Sequence, residues 1–234
     1  MSKISPSAAA AAMLWAAMAF IPGPALAEDT QDARQLVEKA HLTFESFIAD
    51  PNLGPNLRRL VQQARGVLIY PQVLRGAFIF GASGGSGVLL VQDRTSRKWG
   101  GPAFYTIGEV SFGLQAGADA SEVVLVALTD RGVSALLSTS GKLGANASIA
   151  VGPIGAGVSG ATENISADIV SYSRNKGLYA GVSVEGAVVA VREALDTAYY
   201  GKAVTPTQIL IQREVSNPHA AGLIAAVAKV AGGS

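Results

Sequence analysis

The chain has no cysteine among its 234 residues, so neither a disulfide nor a lipid-modified cysteine contributes to its architecture. Its two histidines, His41 and His219, lie far apart without metal-ligand spacing, which argues against a zinc or transition-metal centre. Each reads as an ordinary surface or cap residue. No G-x-x-x-x-G-K-[ST] run occurs, which removes the P-loop nucleotide hydrolases. Charged residues make up only 15% and aromatics 6%, against 49% hydrophobic residues; that balance excludes disorder and leaves small side chains to fill the core. No cofactor is implied.

Long apolar runs are also scarce. One near the start, "AAAAAMLWAAMAFI" from Ala8 to Ile21, is shorter than the roughly 20 residues of a spanning helix and is closed by Pro22 and Pro24. With Lys3 before it and Ala25-Leu26-Ala27 after it, the run reads as a secretory signal peptide over residues 1–27. The mature chain, 28–234, is then a single domain, periplasmic or secreted.

Glycine is abundant: 27 residues without a collagen period, the mark of a β-rich fold with many sharp backbone bends. "TQDARQLVEKAHLTFESFIA" puts Leu36, Ala40, Phe44, Phe47 and Ile48 on one helical face, and "NLRRLVQQA" follows as a shorter helix. From "RGVLIYP" to about Arg192, alternation and β-branched residues predict strands, among them Val67–Tyr70, Ala77–Ala82 and Gly87–Gln92. A short helix interrupts them at "TDRGVSALLST", and helical signals return in "REALDTAYYG", "TPTQILIQ" and "AAGLIAAVAKV". Strands and helices do not alternate regularly. The expected fold is therefore α+β, with a curved, glycine-rich, mainly antiparallel sheet flanked by N-terminal and C-terminal helices.

Two literal motifs carry chemistry on paper. "GASGG" matches the G-x-S-x-G nucleophile elbow, with Ser83 as the serine and His219 the one downstream histidine able to serve it. An elbow needs a helix after the serine, whereas "GGSGVLLVQD" reads as a strand; a glycine-rich tight turn between two strands is preferred. "GAGVSG", Gly155–Gly160, matches a dinucleotide-binding loop but leads into "ENISADIVSYS", which has strand period. Glu109 and Glu185 sit in apolar strands and read as buried hydrogen-bond anchors, with an acid/base pair as the alternative.

Charge layout is more informative than net charge. Between Arg58 and Lys98 lie Arg58, Arg59, Arg65, Arg75, Arg94, Arg97 and Lys98 against the single acid Asp93. The stretch to Tyr172 is acidic in turn. Five such cations converging on an anionic membrane would supply about 5 kcal/mol, roughly 0.2 mM affinity, at about 1 kcal/mol each. Nucleic acid is disfavoured because no stacking aromatics are interleaved with the basic residues.

Several blocks in order, "ARGVLIYP", "GGSGVLLVQD", "WGGPAFYTIGEVSFGLQAGADASEVVLVALTDRG", "LGANASIAVGPIGAGVSG", "SRNKGLYAGVSVEGAVV" and "AYYG", resemble the SYLF-domain family of lipid-binding proteins. The resemblance runs from about Arg34 to about Gln212. It implies a non-catalytic α+β module that binds phospholipid. Eukaryotic relatives add Src-homology or FYVE modules, bind phosphoinositides and, in yeast, associate with actin; for an exported chain the transferable property is affinity for anionic phospholipid. Arg75 matches a position usually basic in relatives, whereas Ser83 stands where they often place a basic residue before "GGSG". The expected lipid contacts are Arg58, Arg59, Arg65, Arg75 and Lys98. A different class, a structural envelope protein that binds a protein partner through the first helix or "AAGLIAAVAKV", is the alternative.

Overall fold

The computed structural model describes residues 24–77, 80–112, 117–138, 140–152, 166–175 and 186–232. Most of the predicted signal peptide, the "GAGVSG" loop and Glu185 lie outside these residues. Helix α1, Pro24–Ala49, starts ahead of the expected Thr30, so the predicted cut after Ala27 falls in its first turn. No helix of the described residues is long and apolar enough to cross a membrane.

Ala33, Val37, Ala40, Phe44 and Phe47 recur every three or four residues and are buried, so α1 presents one continuous apolar stripe to the core. It stops at Asp50-Pro51, where proline disfavours helical geometry in the residue before it. The Asp50 carboxylate accepts the backbone N–H groups of Asn52 and Leu53, at 2.8 and 3.0 Å, and turns the chain into α2, Gly54–Gln63. Gly54 is obligatory there, because any Cβ would overlap the Ile48 carbonyl.

The strands that follow are β1 Gly66–Ala77, β2 Phe80–Gln92, β3 Trp99–Phe112 and β4 Gly117–Ala127. After α3, Asp130–Leu137, come β5 Ser140–Lys142, β6 Ile149–Val151, β7 Ile169–Asn175 and β8 Val188–Val191. Helix α4, Glu193–Tyr200, ends on Gly201 in the left-handed conformation at φ 72°, a helix stop that suits glycine. A π-helical turn at Gln208–Gln212 and helix α5, Ala221–Ala231, complete the described chain.

The sheet order is β5-β8-β3-β2-β1-β4-β7-β6, and every pairing is antiparallel except β6 with β7. Edge strands β5 and β6 are joined by residues 143–148 alone. Eight flat strands would hold those edges about 34 Å apart, whereas the link reaches about 25 Å fully extended. The sheet therefore curls, as the glycine content predicted.

The sequence reading of "GASGG" as a turn is corrected. Strand β2 runs unbroken through it, with Ser83 paired to Arg75 on β1 and to Glu109 on β3. Nor does β1 end at Tyr70. It continues through Pro71 by a bulge: Ile69 pairs with Val88 and Gln72 with Ser86, so Tyr70 and Pro71 together oppose Gly87. Proline lacks the ladder N–H, and a bulge is where an interior strand tolerates it.

Both faces of the sheet are buried. Val67, Ile69, Val88, Leu90 and Phe104 pack beneath α1, α2, α4 and α5. Leu68, Tyr70, Leu89, Tyr105 and Leu125 point the other way, where Val133 and Leu136 of α3 and Ile209 and Leu210 of the π-helical turn cover them. Where α3, β6 and β7 begin, Asp168 is a hub. It accepts the Thr129 hydroxyl at 2.6 Å and both the backbone N–H and hydroxyl of Ser148 at 2.9 Å. The Thr129 hydroxyl, then the Ser148 backbone N–H, hold its carboxyl down at a pKa of about 2. Asp168→Ala strips three donors of their acceptor and is expected to cost about 3 kcal/mol, read as a lower urea midpoint at pH 7.

Candidate functional site

Helix α2 buries Leu57, Leu60 and Val61 and turns Arg58, Arg59 and Gln62 outward. Arg58 reaches back to α1, where its Nη2 donates to the Ile48 carbonyl at 2.6 Å. That carbonyl belongs to the last turn of α1, where a cation is favoured by the helix dipole. The bond also fixes the guanidinium at the mouth of a groove of about 370 Å³ between α1, α2 and α5. Phe44, Ile48, Ala49, Ala226 and Val230 make the groove apolar, and Arg58 and Lys229 stand on its rim with Gln62 and Glu45. Glu45 is engaged by His41 at 3.3 Å. Among the described residues no carboxylate forms an ion pair with Arg58 or Lys229. Two cations over a hydrocarbon floor suit an anion that carries an apolar chain.

The other expected lipid contacts do not gather there. Arg59, next to Arg58, donates to Asn56 Oδ1 at 2.6 Å. Arg65 leads into β1, where its backbone N–H donates to Ala127 and its carbonyl accepts from Gln92. Lys98 is exposed in the β2–β3 connection, where its carbonyl accepts from Arg213 at 2.6 Å. Arg75 lies near the far end of β1, nine residues beyond Gly66, about 30 Å along the strand. Arg94 is paired with Asp130, so one cation of the basic segment is met by an acid of the acidic one. Sequence reasoning missed Lys229. Its signal was present: it is the only charged residue of α5.

The elbow geometry is not formed at Ser83, which sits in mid-strand with paired neighbours on both sides. His219 meets the Tyr199 hydroxyl at 3.3 Å through Nδ1 and Glu38 at 3.2 Å through Nε2. Glu109 pairs with Ser83 across the ladder. Among the described residues no group of three or more His, Asp or Glu could hold a metal ion.

Fold and site together define an α+β module whose curled sheet carries a cation-rimmed apolar groove on its helical face. A family model described as "Ysc84: Las17-binding protein actin regulator" matches residues 108–230, from β3 into α5, and the chain belongs to this Ysc84, or SYLF-domain, family. The family is one of binding and regulatory proteins. The chain is 30% identical over 153 residues to SH3 domain-containing YSC84-like protein 1 of Bos taurus, covering 64% of this chain and 44% of that protein. It is 29% identical over 205 residues to Protein YSC84 of Saccharomyces cerevisiae, covering 85% and 42%. To LAS seventeen-binding protein 3 of the same yeast it is 28% identical over 194 residues, covering 80% and 41%. The chain thus spans less than half the length of these relatives.

Proposed function

We propose that the chain is an exported, non-catalytic module that recognises anionic phospholipid headgroups at a membrane surface, and that the α1–α2–α5 groove is where it docks. The observation that carries this is the pairing of Arg58 and Lys229 with an apolar floor. Two cations near an anionic surface contribute about 2 kcal/mol, too little alone, so an apolar contact must supply the rest. The groove offers that contact. At about 370 Å³ it lies near the lower limit of ligand pockets, room for part of a lipid, which favours surface docking over carriage of a whole molecule. Arg59 sits beside the groove; Arg65, Arg75 and Lys98 stand apart from it and add longer-range attraction.

Reversing both rim charges, Arg58→Glu with Lys229→Glu, is expected to abolish flotation with phosphatidylglycerol vesicles and lower the thermal midpoint only slightly, because both side chains are exposed. Flotation equal to that of the parent would place the site elsewhere. Export to the periplasm or medium belongs to the same reading, and amino-terminal sequencing of the exported chain should start near Glu28.

A second reading draws on relatives whose printed names include Las17 binding. A protein partner would then dock on α1 or α5. In-cell crosslinking that recovers one protein, with no lipid co-purifying, would favour it.

A further inference from the structure

A second cleft, of about 290 Å³, opens on the helical face of the sheet where β1 and β2 leave the bulge at Pro71. Its walls come from α1, from the β1–β2 ladder and from the junction of β8 with α4. Two cations enter it, Lys39 from α1 and Arg192 from the residue before α4. Arg192 is held in place: its backbone N–H donates to the Phe104 carbonyl at 2.8 Å and its Nη1 to the Ser86 hydroxyl at 2.7 Å. That leaves most of the five guanidinium N–H donors uncommitted, and among the described residues no carboxylate forms an ion pair with Arg192 or Lys39. Asp32 also lines the cleft, so the lining side chains carry a net charge of one plus.

The floor supplies the second observation. Gly85 is imposed by the fold, since a Cβ there would overlap the Gln72 carbonyl opposite. Gly84 is not: its Cβ would meet nothing nearer than the Ile107 carbonyl at 3.8 Å. Gly84 pairs across the ladder with Gly108, which is equally open, with only the Ser83 carbonyl at 3.8 Å. Two adjoining glycines in strand interiors cost roughly 0.5–1 kcal/mol each relative to alanine, and packing does not require them. Of the two, Gly84 lines the cleft, where it provides a flat floor on which a ligand can approach the backbone.

We propose that this cleft, separate from the α1–α2–α5 groove, binds a phosphoryl group, with Arg192 and Lys39 as its cations and Ser86 orienting Arg192. Arginine with a free fork and a lysine beside it match the geometry and charge of a phosphomonoester or phosphodiester. The volume suits a small headgroup or a three- to six-carbon phosphate ester rather than a nucleotide. The proposal does not depend on the groove's function.

The test is titration of the full chain with inorganic phosphate and with glycerol 3-phosphate, followed by calorimetry and by the backbone amide resonances of Gly84, Ser86 and Arg192. In parallel, vesicles containing phosphatidylglycerol are floated with the same chain. Gly84→Glu puts a carboxylate on the floor without a backbone clash, and Lys39→Glu alters an exposed side chain. Each is expected to weaken phosphoryl binding about tenfold or more. Loss confined to the soluble esters assigns a free phosphate ester, and loss confined to vesicles assigns a lipid headgroup. If neither variant changes binding in either arm, or wild type moves none of those three resonances and floats no differently from Gly84→Glu, the site is not there. Should Gly84→Glu fold poorly, Lys39→Glu alone decides between these outcomes.

Discussion

Replacing Gly87 with alanine is expected to cost about 3 kcal/mol of stability, while the same change at Gly84, three residues away on the same strand, costs less than about 0.5 kcal/mol or stabilises. The difference lies in the partner strand. Gly87 faces the bulge that admits Pro71 into β1, and there a Cβ would stand 2.5 Å from both the Ile69 carbonyl oxygen and Tyr70 Cδ1. A ring can shift, but a ladder carbonyl cannot move without breaking the pairing of β1 with β2. At Gly84 the nearest atom is 3.8 Å away. Urea midpoints of the two variants, measured side by side by circular dichroism, decide it. Equal losses would mean that the bulge does not set the requirement for glycine.

The second large effect concerns pH. Asp196 on α4 is fully buried, with Oδ1 accepting the Phe104 backbone N–H at 3.0 Å and Oδ2 without a partner. Burial, reinforced by the nearby Glu193, pushes its pKa up from 3.8 to about 7, against the lowering effect of the Phe104 bond. Since the folded chain then holds a proton that the unfolded chain releases, this residue's contribution is fully present below about pH 4 and declines as pH rises to about 7. A shift of that size corresponds to at most about 4 kcal/mol. Asp196→Asn keeps the acceptor for Phe104 and carries no charge at any pH, though its amide N–H groups inherit the unpartnered position, at about 1–3 kcal/mol. The variant is therefore expected to be the less stable protein at pH 4.5 and the more stable one at pH 8. Parallel stability curves across that range would contradict the assignment of a buried, uncompensated carboxyl.

Much of the fold was legible because its signals are local. The α1 stripe, the start of α3 at Thr129 and the stop of α4 at Gly201 each rest on spacing or on one residue's conformational preference. What misled was also local. Pro71 and "GASGG" look like breaks when only their own neighbourhood is considered, yet both lie inside long strands, Pro71 in a bulge opposite Gly87 and "GASGG" in ladder with residues 73–77. Pairing between β1 and β2 is invisible to periodicity within either strand. The candidate groove was half legible for the same reason. Arg58 stood out in a basic run, but its rim partner Lys229 lies 171 residues later and reaches the groove only because α5 packs against α1 and α2. Conversely, a run that is dense along the chain is dispersed once β1 carries Arg75 about 30 Å from Arg65.

The central claim, docking of anionic phospholipid in a cation-rimmed apolar groove, is tested most directly by flotation of the chain over residues 28–234 with vesicles of phosphatidylglycerol or of phosphatidylcholine, at low and at high salt. Recovery in the floating fraction with phosphatidylglycerol at low salt, markedly reduced at high salt and absent with phosphatidylcholine, is the predicted result. Recovery with neither lipid at low salt, or with both equally, would contradict it.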